Sequence, residues 1–290
     1  MLDPAILFPS FVNGLATGAI YALIALGLTL IYGVLHIINF AHGAALMMAM
    51  YGVYFLFTVA KVDPYAALPL MVAGMFAAGY LVYRFIVARA SHGKDENILL
   101  VTLGLSIVLE NLALYWFKAD TRTIETAYTL STVNVLGVNL ALTKAVSFVG
   151  ALVLTGVLLL LIGRTSLGRA IRACARERQG ARVVGIDVDH IFAMSFGIGL
   201  ACLGAAACLH MPAYYVNPTV GNGFVLVAFT IVVLGGMGSF VGALAGGFII
   251  GVVESLGGLL LGESLGQIGI FLIFIAVLLF RPQGLFGHKA

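Results

Sequence analysis

The sequence predicts an all-α fold: a polytopic bundle of eight or nine transmembrane helices, some of them broken, with one further helix outside the bilayer. Three observations lead there. The 290 residues are 62% hydrophobic and only 9% charged, where a soluble domain averages about 25% charged. Apolar runs long enough to cross a bilayer, about 20 residues each, recur from Ile6 to Phe280. The charge that remains is concentrated: six of the fifteen Lys and Arg residues fall between Gly163 and His190. Long apolar runs flank that segment, so it is a loop between two spans. Arginine-rich loops of this length stay on the cytoplasmic side.

These features also exclude function classes. Residues 1–290 read as a single transmembrane domain with a cytoplasmic loop at 163–190, and no soluble domain stands beside it. The net charge of +3 reflects membrane asymmetry rather than a nucleic-acid footprint. The start, MLDPAIL, lacks a basic leader region, so no cleaved signal peptide is expected. Cys174, Cys202 and Cys208 have no metal-ligand or disulfide spacing. No GxxxxGK[ST] motif is present, so any ATP hydrolysis belongs to another chain. Nothing resembles a Ser/His/Asp set, a carboxylate pair or a metal cluster, so the chain does not read as an enzyme.

Taken in order, span 1 runs from Ile6 to about Leu35 and carries Gly14, Gly18, Gly27 and Gly33, which permit close helix approach. It ends in the polar run His36–Gly43, and span 2, Ala44–Ala60, follows at once. That polar run therefore lies at or inside the membrane. Lys61–Pro64 makes a turn, span 3 is Tyr65–Val87, and Arg89, His92 and Lys94 mark an inner loop. Span 4, Ile98–Phe117, contains Glu110 and Asn111. The balanced segment Lys118–Thr143 is expected outside, and span 5 is Lys144–Ile162.

The basic loop reads as one helix over Leu167–Val184, roughly 27 Å long. Ser166 is expected to cap its start and Gly185 its end. Arg169, Arg172 and Arg176 share a face, and Ala170, Cys174, Ala181 and Val184 form a small-residue face. Such a helix suits docking into a partner's groove or lying among anionic headgroups.

Span 6 is Ile191–His210. Phe224–Leu234 is too short to cross unaided and reads as half of a broken helix. Gly235–Ser239 is the break, Phe240–Leu261 holds Glu254, and Gly266–Phe280 is the last span. Arg281 and Lys289 place the C-terminus inside, which gives nine crossings from an outside N-terminus; a re-entrant broken segment changes the count and the N-terminal side. The breaks at Asn39–Gly43 and Gly235–Ser239 echo each other, and paired broken helices are where transporters build their pathway. The two breaks are therefore expected to meet. Candidate pathway residues are Asn39, His42, Gly43, Glu110, Asn111, Gly235, Gly236 and Gly238. Each has a plainer role: Asn39 and His42 can satisfy local backbone, Glu110 can be a paired structural carboxyl, and the glycines can serve packing.

Four stretches together carry a resemblance: YALIALGLTLIYGVLHIINFAHG (Tyr21–Gly43), Ser166–Asp187, Asn217–Glu254 with its VVLGGMGSFVGALAGG core, and RPQGLFG (Arg281–Gly287). The chain resembles the LivH-type permease subunits of branched-chain amino acid ABC importers. The resemblance implies a multi-pass protein of the bacterial inner membrane and a second, LivM-like permease chain forming a heterodimer. It also implies two ATPase subunits that bind ATP and Mg and a periplasmic substrate-binding protein. It makes the basic loop an ATPase-coupling helix, with Gly168, Arg169, Arg172, Ala181 and Gly185 at the contact. The membrane lipid is a partner; nucleic acid is not. The chain departs from the pattern at Glu110, where the resemblance leads one to expect glutamine. Related permeases carry urea, short amides, aromatic acids or sugars, and a stand-alone secondary transporter or channel is the remaining alternative.

Overall fold

The computed structural model describes residues 4–91, 95–135, 137–281 and 283–286. His92, Lys94 and Lys289 lie outside the described residues. Helix α1, Pro4–Leu35, is the central post. It is apolar on all sides and buried from Gly18 to Ile31, as a helix without a polar face must be. α2 (His42–Thr58) follows the polar run, and α3 (Leu68–Val82) continues through a π-helical turn, Tyr83–Val87, into the short α4, Ala88–Ser91. α5 is Asp95–Phe117 and α6 is Leu142–Arg164. Two short helices, α7 (Ser166–Arg176) and α8 (Arg178–Val183), carry the arginines. α9 (Val188–His210), α10 (Val220–Gly235), α11 (Phe240–Leu261) and α12 (Glu263–Phe280) complete the bundle.

Among the described residues, six helical stretches are long and apolar enough to cross a bilayer: Ile6–Leu35, Leu68–Ala90, Asn97–Phe117, Leu142–Arg164, Val188–Ala213 and Phe240–Leu260. Three shorter apolar helices, His42–Thr58, Val220–Gly235 and Gly266–Phe280, accompany them.

Small residues set the packing, because helices in lipid gain little from apolar burial alone and need close approach. Gly14, Gly18 and Ala22 on α1 face Gly247, Gly251 and Ser255 on α11. A Cβ on Gly18 would lie 2.7 Å from the Gly247 carbonyl oxygen, and one on Gly251 would lie 2.4 Å from the Gly18 Cα. Ser255 adds a hydrogen bond to the Ser10 carbonyl at 2.7 Å. The outer faces are apolar: Val149, Val153, Val157 and Leu160 on α6, and Leu272, Ile275 and Leu279 on α12. Tyr115 and Trp116 are exposed at the end of α5, where aromatic side chains favour the membrane–water boundary.

Two expectations are corrected. The fold is not purely α-helical. In the loop after α5, β2 (Thr132–Val135) and β3 (Val138–Ala141) form an antiparallel hairpin. The strand β1 (Arg122–Thr123) pairs with β4 (Tyr215–Val216) between α9 and α10. Alternating residues and Gly137, at φ +85°, allow the hairpin. Tyr128 donates to the Asp63 carboxylate at 2.7 Å, tying this loop to the turn after α2. Burial, then the Asp63 carboxylate, holds the Tyr128 phenol well above its ordinary pKa.

The second correction concerns the basic loop, which is two helices rather than one. Glu177 is extended (φ −153°, ψ 104°), and its carboxylate caps α8 by accepting from Gln179 N. The start of α7 is capped by Thr165, not Ser166: Thr165 Oγ1 accepts from Gly168 N at 3.0 Å. Gly185 does close α8, at φ +86°. The bonds Ile186 N to Ala181 O (3.0 Å) and Gly185 N to Arg182 O (3.1 Å) make a Schellman end.

Candidate translocation and coupling sites

The polar run after α1 turns back into the bundle, so α2 begins deep inside it. His36 ends α1 in the left-handed region, at φ +58°. His42, fully buried, places Nε2 3.0 Å from the Ile24 carbonyl, well up α1 from its end. Asn39 is buried, and its Oδ1 accepts from Ala41 N at 3.1 Å. Thr102 on α5 accepts from Phe40 N at 3.3 Å. These side chains replace helical hydrogen bonds where the backbone is irregular, which a bilayer interior demands.

Gly43 meets Gly221. A Cβ on Gly43 would lie 2.1 Å from the Gly221 carbonyl oxygen, and one on Gly221 would lie 2.4 Å from the Gly43 carbonyl oxygen. These glycines stand in the first turns of α2 and α10, so two short helices meet N-terminus to N-terminus. Each end carries backbone N–H groups without helical partners and a partial positive charge. Asn217 supports the start of α10 by accepting from Thr219 N at 3.2 Å. Glu110 on α5 supports it from the side: Asn222 Nδ2 donates to its carboxylate at 3.2 and 3.3 Å. Asn111 bonds the Ile107 carbonyl of its own helix at 2.8 Å and is exposed, as is Asn222.

The second break lies elsewhere. Gly236 (φ +97°) and Gly238 (φ +87°) turn the chain from α10 into α11. Ser239 then caps α11 by accepting from Gly242 N at 3.1 Å. Gly235 packs on Gly242, Gly236 on Gly284, and Gly238 on Gly33 near the end of α1. The tail after α12 bonds back to the end of α10, through Leu285 N to Leu234 O (2.8 Å) and Phe286 N to Gly235 O (3.1 Å). Gly33 and Ile24 are about 14 Å apart along α1 at 1.5 Å per residue. The expected meeting of the two breaks does not occur. The first meets the start of α10 at mid-bundle, and the second closes its end.

The basic segment packs inward with its small residues. Gly168 is buried against the Ile162 carbonyl, and Ile171, Cys174 and Ala181 are buried too. Burial pushes the Cys174 thiol pKa up. Outward stand Arg169, Arg172, Arg176, Arg182, Val183, Val184 and Gly185. The Arg172 guanidinium donates to the Ile162 and Gly163 carbonyls, capping the α6 C-terminus, where a cation suits the helix dipole. Arg178 reaches back to the Leu35 carbonyl at 2.5 Å and lies 5.2 Å above the Phe192 ring. The helix carrying the arginines is thereby fastened to the last residue of α1, at the root of the first break.

Residues 10–280 match the family described as branched-chain amino acid transport system / permease component. The chain belongs to this family. It is 35% identical to the high-affinity branched-chain amino acid transport system permease protein BraD of Pseudomonas aeruginosa, over 96% of this chain and 94% of that one. It is 31% identical to LivH of Salmonella typhimurium, a permease protein of the same description, over 95% and 94%. The fructose import permease protein FrcC of Rhizobium meliloti is 31% identical over 57% of this chain and 49% of its own length.

The chain is thus a transport permease, a multi-pass membrane protein and not an enzyme. Sequence reasoning missed three of this permease's contacts. Gly221 and Asn222 sit in TVGNG, whose glycines alone signal only a break. Arg178 was one arginine among six, and no periodicity marks which one points inward. A signal for Gly221 did exist: two short apolar helices, each opening on glycine, have ends that must be satisfied inside the bundle.

Proposed function

We propose that this chain is the permease subunit of an ABC importer that carries branched-chain amino acids across the membrane, in bacteria the inner membrane. The near full-length likeness to BraD carries the reading. In it, the chain crosses nine times, from an outside N-terminus to an inside C-terminus. α2 and α10, with the polar runs before them, count as crossings because each joins loops at opposite ends. A second, LivM-like permease faces the surface that bears Glu110, Asn111 and Asn222. Polar groups at that depth avoid lipid and face protein or water. That surface, with the junction of Asn39, His42, Gly43 and Gly221 behind it, is the translocation path. Gly235, Gly236 and Gly238 form its inner hinge.

Two ATPase subunits, binding ATP and Mg, dock on α7 and α8. Arg169, Arg172 and Gly185 present the contact, with exposed Val183 and Val184 beside them. Gly168 and Ala181 hold the segment on the bundle. A periplasmic binding protein delivers the substrate to the loop layer of β1–β4.

The test is uptake by proteoliposomes holding this chain with its partner permease, ATPases and binding protein. ATP-dependent accumulation of leucine, isoleucine and valine is expected. Accumulation of fructose instead would replace the reading with a sugar permease, the direction in which the partial FrcC likeness points. Uptake by this chain without ATPases would replace it with a channel or secondary transporter.

A further inference from the structure

Three adjoining cavities lead from the loop layer, past α1, to the start of α10. The outermost, about 430 Å³, lies under the loop layer between Thr123, Glu125, Thr143, Lys144 and Tyr214. The next, about 270 Å³, shares Lys144, Ala213 and Tyr214 with it and adds Asn13, His210 and Glu254. The third, about 240 Å³, shares Tyr21, Tyr214 and Glu254 with the second and reaches Val220 and Gly223 in the first turn of α10. The middle chamber therefore sits between the loop layer and the helix junction.

Its walls carry one cation and one carboxylate. Lys144 stands in the first turn of α6, where the helix dipole disfavours a cation, so helix stability does not explain it. Its ammonium donates to Asn13 Oδ1 at 3.1 Å. Glu254 stands far inside α11, where a carboxylate is costly, and the Tyr21 phenol faces it. Among the described residues no salt bridge joins Lys144 to Glu254. His210 is only 7% exposed, and both its ring nitrogens lack a partner. Its ring stacks on Tyr214 at 4.5 Å and so keeps its place. Unpartnered buried polar atoms and two unmatched charges are expensive unless a guest satisfies them.

We propose that this chamber is a binding subsite for a small zwitterion of the α-amino acid class. Lys144 takes the carboxylate, with His210 as its second hydrogen-bond partner, and Glu254 takes the ammonium. The volume lies just below the range of drug-sized pockets and suits a small metabolite. The inference rests on the transport reading and adds to it a site inside this one chain, apart from the surface shared with the second permease.

The experiment uses the complete permease–ATPase complex in nanodiscs, without binding protein, titrated with radiolabelled leucine. Saturable binding is expected. Isocaproate, which lacks the ammonium, and isoamylamine, which lacks the carboxylate, should each compete far less than unlabelled leucine. Lys144→Met and Glu254→Gln should each weaken binding roughly tenfold or more, as expected for losing a charge-assisted hydrogen bond. Lys144→Arg should retain most of it. ATPase co-purification checks that each variant assembles, and the competition series on the wild type needs no variant. Equal competition by the two half-analogues, unchanged binding in both charge variants, or no saturable binding by a complex that transports leucine would overturn the subsite. A wild-type complex that transports no aliphatic amino acid, even with its binding protein, would instead overturn the transport reading.

Discussion

Gly43→Ala tests the junction of α2 and α10 with one carbon atom. The added Cβ would stand 2.1 Å from the Gly221 carbonyl oxygen and 2.9 Å from its carbonyl carbon. Both are backbone atoms, so no side chain can swing away, and the two helix ends must part by about 1 Å to reach ordinary contact. Overpacking of this kind costs about 1–3 kcal/mol. At 1.4 kcal/mol per decade, that shifts the closed junction by roughly 5- to 150-fold. ATP-driven leucine uptake should fall by at least the lower figure, with a lower melting temperature of the purified complex. Gly74→Ala is the control, because a Cβ there meets nothing within 4 Å. Wild-type uptake and melting by assembled Gly43→Ala complexes would show that the two backbones need not touch, and the junction would lose its role.

The other predictions follow from the same contacts. Gly236→Val is expected to abolish uptake while leaving ATPase docking intact, since φ there is +97° and Gly284 backbone lies against it; normal uptake would remove the hinge. Glu110→Gln keeps an acceptor for Asn222 and should transport nearly as wild type across pH, whereas Glu110→Ala should lose roughly tenfold; equal uptake by both would dismiss the support of α10. Arg178→Lys removes the planar, ring-stacked guanidinium and should raise the ATP consumed per leucine at unchanged docking; an unchanged ratio would refute the link. Single cysteines at positions 166 and 129, in a background lacking native cysteines, should react with an impermeant thiol reagent from opposite sides. In the native protein the buried Cys174, its thiol pKa raised, should react slowly from either side; outside labelling at position 166 in the cysteine-free background would overturn the topology.

Much of the fold was legible because bilayer crossings are written in long apolar runs. The bounds of α1, α6 and α11 follow from composition, since the cost of an exposed polar backbone in lipid leaves no alternative to helix. That α10 is short was legible for the same reason, although it begins at Val220, a turn before the expected Phe224. The small sheets were not. Each rests on a few residues in polar loops, where pairing depends on segments far apart in the chain, as Arg122 with Val216. The division between α7 and α8 was hidden because Glu177 suits a helix interior as well as it suits a cap. The candidate site was half legible: Asn39, His42 and Gly43 announced a break. What the break meets is a tertiary fact, and two glycine-rich breaks in one chain suggested the wrong pair.

In the proposed coupling, the contacts give the arginine-bearing segment a route to the junction without touching it. Its outward face is exposed, while its inward face is committed: Gly168 against the end of α6, Ala181 in the core, and Arg178 on the Leu35 carbonyl. Leu35 is the last residue of α1, and the chain leaves it through His36 toward Asn39, His42 and Gly43. A push on α7 and α8 would therefore reach the root of the first break through one hydrogen bond, while the Phe192 ring contact ties Arg178 to α9. The far end of that break is pinned to the Ile24 carbonyl by His42 and to the backbone of Gly221. A short irregular strand held at both ends has little slack, so displacement at Leu35 must appear at Gly43 or break one of the pins. The second break shares the same post, because Gly238 lies on Gly33 of α1. Movement of the lower end of α1 thus reaches both ends of α10 at once, its first turn through Gly43 and its last through Gly238. In the proposed cycle α10 would then move as a unit, without either break having to meet the other.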